Sequence, residues 1–427
     1  MTVLPTGWQL EPVKNIAREG DFFDGDWVES KDQDPTGRVR LVQLADVGEG
    51  NFRDKSSRWL RDDQADGLGA SYLEAGDLLI ARMPDPMGRC CQMPTLPYRS
   101  ITAVDVAVLR IGRADISPKF VMWALNSPAI RISITSLASG TTRQRVSRKN
   151  LGAIEVSVPP LAEQKRIVEI LEEQFSRLDA ALTSIRTVQE KVAAFRRSLL
   201  QAAFHGALAG DSAVSIPSDW NLLSLDEVSE VRLGRQRSPR NHSGPQMRPY
   251  LRAANVTWQG LDLTDVKEMN FSDEELRVLC LKSGDILVGE ASGSPNEVGK
   301  AAVFQGEIEN CCFQNTLLRV RPLSIDTRYL HYFLTGTAMS GAYARESRGV
   351  GISHLGRAKL ASWPVPVAPA PEQRRIGEML DEQFSRLDAA LVVTNQLEAR
   401  IVSERRSLLH AAFSGTLTAQ WRETHNG

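Results

Sequence analysis

Glu163–Leu182 reads EQKRIVEILEEQFSRLDAAL, and Glu372–Leu391 reads EQRRIGEMLDEQFSRLDAAL. The second stretch lies 209 residues after the first, and the match continues without a gap to Leu208 and Leu417. Of those 46 pairs, 26 are identical. Internal repeats govern the reading of a fold, so the chain is taken as one unit built twice in tandem.

Residues 162–204 contain neither proline nor glycine. Ile167, Leu171, Gln174, Leu178, Ala181, Ile185, Val188, Val192, Phe195 and Leu199 alternate by four and three, the spacing of a heptad seam. The second copy gives Ile376, Leu380, Gln383, Leu387, Ala390, Thr394, Leu397, Ile401, Glu404 and Leu408, with Thr394 and Glu404 as polar interruptions. Pro159, Pro160 and Pro371 mark helix starts, and Gly206 and Gly415 mark ends. Each run predicts a helix of about 43 residues, about 65 Å long. Two such helices in one chain bury their seams against each other, and the intervening residues are numerous enough for antiparallel pairing. Gln174 and Gln383 either hydrogen-bond to set register or occupy a loose spot in the seam.

Upstream the repeat is weaker. Leu41-Val42-Gln43 faces Tyr250-Leu251-Arg252, and Asp46-Val47 faces Asn255-Val256. Phe120 faces Tyr329, Gly140 faces Gly349, Gly76-Asp77 matches Gly284-Asp285, and Pro5 and Trp8 match Pro217 and Trp220. RVRLVQLADV, GDLLIAR, TAVDVAVLRI and GAIEVSVPP read as strands in the first copy; RPYLRAANV, GDILVGE, NTLLRVRP and ASWPVPV do so in the second. SPKFVMWALNS and DTRYLHYFLTG read as helices capped by Ser and Asp. The expected fold class is α+β: two mixed α/β modules separated by a pair of long antiparallel coiled-coil helices, in a pseudo-two-fold tandem duplication.

The chain has 51 basic and 52 acidic residues in 427, so global charge does not mark it as a nucleic-acid binder. Local charge does. Val231–Leu261 carries Arg232, Arg235, Arg237, Arg240, Arg248 and Arg252 and no acid. Ile116–Ile154 carries Lys119, Arg131, Arg143, Arg145, Arg148 and Lys149, again without an acid. Interleaved Ser, Thr, Asn and Gln suit phosphate neutralisation with base-edge hydrogen bonding. A solvated basic loop is the plainer explanation of either cluster alone; one cluster per copy favours the functional one. Arg143, Arg145, Arg148, Arg232, Arg235, Arg237, Arg240 and Arg252 are the candidate DNA contacts.

Catalytic motifs are missing. The run Gly293–Ala301 imitates a phosphate loop but has five residues between its glycines and no hydroxyl for Mg²⁺. The six histidines show no ligand spacing, so no metal is expected. The five cysteines have no CxxC spacing and read as buried or incidental thiols. No signal peptide and no long apolar run are evident, which predicts a cytoplasmic protein without a membrane partner.

Pro160 leading to Glu163-Gln164, Pro369 leading to Glu372-Gln373, and the RRSLL and AAF runs that follow closely resemble the helical regions of type I restriction-modification specificity subunits. The resemblance covers nearly the whole chain. It implies target recognition domains at 1–160 and 209–369, conserved helical regions at 161–208 and 370–417, and a tail at 418–427. Each domain would read one half of a bipartite, asymmetric double-stranded DNA site. The paired helices would set the spacer and dock two modification subunits that methylate adenine, with restriction subunits as further partners. S-adenosylmethionine, ATP and Mg²⁺ would sit on those partners, leaving this chain without catalysis or cofactor. Duplex DNA has local two-fold axes, and paired readers exploit half-sites roughly 34–36 Å apart. A duplicated coiled-coil adaptor with two protein-binding modules is the competing reading, and an enzyme with its site between the modules a weaker one.

Overall fold

The computed structural model describes residues 4–17, 21–84, 86–141, 143–204, 216–290, 298–346 and 354–425. Gly206, Gly349 and residues 293–297 of the phosphate-loop-like run lie outside that set. The chain divides into two compact units, residues 1–185 with 396–427, and residues 186–395. Each unit holds one α/β module and half of each long helix.

The long helices run from Leu161 to Ala203 and from Ala370 to Phe413. Gly415 ends the second with φ +80°, a conformation that favours glycine, and a Cβ there would run into the Pro5 ring. Within the first unit, Ile167, Leu171 and Phe175 pack in one core with Leu409 and Ala412. Within the second, Leu200 and Phe204 share a core with Ile376 and Leu380. Both associations are antiparallel: Asp179 meets Arg405 in the first unit, and Arg196 meets Asp388 in the second.

The buried stripe departs from the expected seam at every second position. Leu171, Leu178, Ile185 and Val192 lie on it, as do Ile376, Leu380, Leu387 and Ile401. Val188 and Phe195 are instead 42% and 49% exposed, and Leu397 is 42% exposed. Phe175 and Arg196 are buried in place of Gln174 and Phe195. The cause is a second covering surface. Phe175 touches its own module through Trp123, with ring centroids 4.9 Å apart, and the other helix through Arg405, 4.3 Å above its ring. A stripe that serves two neighbours is centred between them, about one residue round from a pure helix-pair seam. Gln174 and Gln383 are half-buried and make no hydrogen bond among the described residues, so register rests on the ion pairs.

The modules share a topology. The first has a four-stranded antiparallel sheet in the order Phe22–Asp24, Val106–Leu109, Leu78–Ala81, Cys90–Gln92. The second repeats it with Ser229–Leu233, Leu317–Pro322, Asp285–Gly289, Ala301–Phe304. Each adds a three-stranded sheet with one parallel pair, Val39–Val42 beside Ser100–Thr102 and Met247–Leu251 beside Cys312–Phe313. The Gly-Asp repeat acquires a role here. Gly76 and Gly284 turn with φ +100° and +91°. Asp77 then accepts both nitrogens of Arg110 at 2.8 and 2.9 Å, and Asp285 those of Arg321 at 2.6 and 2.7 Å. Both carboxylates are buried, and the paired arginine offsets their lost hydration.

Candidate nucleic-acid interface

The Glu-Gln motif is the joint between module and helix. Buried Gln164 accepts from the Ser117 backbone N–H at 2.8 Å and donates to the Asp115 and Pro159 carbonyls, each at 2.9 Å. Gln373 repeats this, accepting from the Asp326 N–H at 2.8 Å and donating to the Ala368 carbonyl at 2.7 Å. Ser117 and Asp326 are the N-caps of Pro118–Leu125 and Thr327–Met339, so one side chain ties a module helix to the start of a long helix. Glu163 accepts from Trp8 Nε1 at 3.1 Å, and Glu372 from Trp220 Nε1 at 3.0 Å. A residue pair repeated in sequence thus places two unlike modules on their helices in one way.

The candidate arginines fall into two groups. Arg143 and Arg240 are exposed and have no partner among the described residues. Arg143 lies in a loop closed by backbone hydrogen bonds between Ser139 and Arg145 at 2.9 and 3.0 Å. Gly140 turns that loop with φ +103°. Arg148 donates to the Phe22 carbonyl at 3.1 Å, and Arg237 to His242 Nε2 at 3.1 Å; both keep an unbalanced charge.

The others are held by acids from outside the acid-free stretches. Arg232 meets Glu230 at 2.8 Å, Arg235 meets Glu275 at 2.9 Å, and Arg252 meets Asp265 at 2.6 Å. Arg145 faces Asp105 at 3.5 Å and donates to the Val104 carbonyl. Arg235 also donates to the Asn270 carbonyl and lies 5.1 Å over Phe271. Their charge is balanced within the fold. Arg143, Arg148, Arg237 and Arg240 are left with charges that no acid balances among the described residues.

One basic loop escaped the sequence reading because Asp54 interrupts it. Buried Asp46 accepts the backbone N–H groups of Gln43, Lys55 and Ser56 at 2.8, 2.7 and 2.7 Å. Arg40 holds Asp54 at 2.7 Å, and Asp54 takes φ +44°. Exposed Arg53 and Lys55 are thereby presented on a fixed backbone. Asn255, opposite Asp46 in the repeat, accepts the Arg252 N–H at 3.1 Å and donates to the Asp262 carbonyl at 2.8 Å. The alignment of Asp46-Val47 with Asn255-Val256 was the available signal.

Other arginines are buried supports. Arg89 donates to the carbonyls of Val47, Leu44 and Pro86 at 2.7, 2.7 and 3.0 Å, and desolvation lowers its pKa. Arg319, lowered for the same reason, binds the Val278 carbonyl and Glu230 at 3.0 and 3.1 Å. No group of three or more His, Cys, Asp or Glu is placed to hold a metal among the described residues. No helix among them is long and apolar enough to cross a membrane.

The chain matches the family described as type I restriction modification DNA specificity domain over residues 95–190 and 217–399. It is 28% identical over 337 residues to the EcoKI specificity subunit of Escherichia coli K12, covering 77% of this chain and 71% of that protein. It is 23% identical over 439 residues to the EcoBI specificity subunit of Escherichia coli, covering 97% and 86%. Among solved structures, a chain from a type I R-M system complex aligns with TM-score 0.74 at 19% identity, covering 96% of this chain and 98% of that one. The HsdS subunit of Thermoanaerobacter tengcongensis aligns with TM-score 0.52 at 19% identity, over 96% and 98%. That family model covers more than half of the chain, and the chain belongs to the type I restriction-modification specificity subunits.

Proposed function

We propose that this chain selects the DNA site of a type I restriction-modification complex, each module reading one half of a bipartite, asymmetric sequence. The observation that carries the reading is the contrast within the duplication: nearly identical helices and joints hold modules whose exposed residues differ. Like joints imply like placement on DNA; unlike surfaces imply unlike half-sites. The exposed Arg143, Arg148, Arg237 and Arg240 supply phosphate contacts.

The outward faces of the long helices dock two modification subunits, and restriction subunits join that core. S-adenosylmethionine, ATP and Mg²⁺ belong to the partners, and the chain contributes no catalytic group. The complex works on DNA in the cytoplasm. Adenine methylomes of cells with and without this gene, with the modification partner expressed, test the reading. A split motif methylated only when the gene is present is expected. An unchanged methylome sinks the proposal and returns the adaptor reading.

A further inference from the structure

We infer that a groove on the first module reads one A·T pair of its half-site from the major groove, an apolar floor meeting the thymine methyl and Gln144 meeting the adenine edge. The inference rests on the DNA-specificity reading above and adds to it a base pair and the residues that recognise it.

The groove has a volume of about 540 Å³ and is lined by apolar Pro84, Pro86, Met87 and Ile132 and by Arg131 and Gln144. Ile132 is the telling residue. The helix Pro128–Ser136 buries Ile134 in the core, yet Ile132, two positions away and about 200° round the helix, is 71% exposed. Among the described residues no core cluster includes that side chain.

Three contacts hold described residues around the groove. Arg89 pins the Pro86 carbonyl at 3.0 Å. Gly88 turns with φ +78° beneath Ile134 and Arg131, leaving no room for a Cβ. The Ser139–Arg145 backbone pair closes the loop that carries Gln144.

The polar inventory points to one reader. Thr135 and Ser136, also at the groove, spend their hydroxyls on the Arg131 and Ser133 carbonyls at 2.8 and 2.9 Å. Gln144 is exposed and makes no hydrogen bond among the described residues. Arg131 faces Glu49 at 3.5 Å through Nη2, while its buried Nη1 has no partner. Arg143, next to Gln144, is likewise unpaired. A carboxamide between cations beside an aliphatic floor matches one base pair. Glutamine forks onto adenine N6 and N7, and an apolar surface suits the thymine methyl. A G·C pair would set guanine O6 against the carboxamide oxygen and offer only a C5 hydrogen where the methyl would sit. Arg143 suits a flanking phosphate, whereas the charge of Arg131 is held by Glu49. At the offset of 209 the positions matching Pro84, Pro86, Met87 and Gln144 fall outside the described residues, and Gly341 stands opposite Ile132, so the inference concerns the first module.

The test uses the complex reconstituted with its modification subunits, on the target found by methylome sequencing. Each thymine of the target is replaced in turn by uracil, which removes only the methyl. One position is expected to lose about fourfold in affinity, the value of one buried methyl-sized group. Ile132→Ala should abolish that sensitivity. Gln144→Ala should relax discrimination at the same base pair by about tenfold and leave the other positions alone. Both residues are exposed, so neither change threatens the fold; thermal unfolding of the variants checks this. Indifference of the wild-type complex to uracil everywhere overturns the inference, as does sensitivity that survives Ile132→Ala. A complex that binds no split sequence removes the specificity reading and this inference with it. A complex that binds its target but ignores the methyl removes the inference alone.

Discussion

Arg405 donates to Asp179 at 2.6 Å, joining the two long helices within the first unit. In the second unit Arg196 donates to Asp388, and each residue of this pair is offset by 209 from its counterpart. The guanidinium of Arg405 lies 4.3 Å over Phe175, and that of Arg196 lies 5.2 Å over Phe384. The repeat therefore conserves a three-residue contact. Exposed ion pairs contribute little, so a double-mutant cycle should give a coupling of about 0.5 kcal/mol for Arg405 and Asp179. Arg405→Ala should cost more than Asp179→Ala, because it also uncovers Phe175. Equal costs by urea denaturation would deny the ring contact any weight.

The position of the buried stripe makes its own prediction. Phe175→Ala should destabilise by about 3 kcal/mol, the usual cost of emptying an aromatic core site. Val188→Ser should stay within about 0.5 kcal/mol of wild type, as surface changes do. The heptad seam read from sequence demands a substantial cost at Val188, so chemical denaturation of these two variants decides between the stripes.

Glu163 is 2% exposed and accepts from Trp8, Thr418 and Arg422, the last at 2.6 Å. Arg422→Ala leaves a buried carboxylate without its cation and should cost about 3 kcal/mol. Adding Glu163→Gln should recover part of that loss, since a neutral amide tolerates the site better. No recovery in the double variant would show that Arg422 acts through packing on Trp8 instead.

Gln164→Ala removes one acceptor and two donors from the joint. A loss of about 2 kcal/mol is expected from the unpaired backbone groups. Gln373→Ala should do the same in the second unit. The functional readout is sharper: in the reconstituted complex, each substitution should weaken recognition of one half-site and spare the other. Uniform weakening across both would separate the joint from module placement.

The thiols titrate high. Burial pushes Cys91 up to about 11 and Cys311 and Cys312 up to about 12, and raises Cys90 well above its ordinary value. At pH 8 these four remain protonated and covered. A thiol-specific chromophore should titrate only half-buried Cys280 in the native protein, and all five cysteines after denaturation. Rapid native reaction at more than one site would contradict the packing.

The sequence made the duplication, the long helices and most strands legible because these rest on local spacing and on turn residues. The Gly-Asp and Glu-Gln repeats were visible as letters, whereas their partners Arg110, Arg321, Ser117 and Asp326 were not, being distant in the chain. The seam was misplaced at Val188, Phe195 and Leu397 because periodicity reports that a face is apolar without reporting how many neighbours share it. The arginine clusters misled for a related reason. Glu275 and Asp265 neutralise Arg235 and Arg252 from segments that contain no arginine run of their own.

The unit that contains the N-terminal module also contains residues 396–427. A ribosome releases residues 186–395 as one continuous piece, so the second unit can fold while synthesis proceeds. The first unit must wait: Glu163 meets Arg422 only 259 residues later. The module made first is completed last. Loss of residues 396–427 therefore strips contacts from the module that is synthesised first.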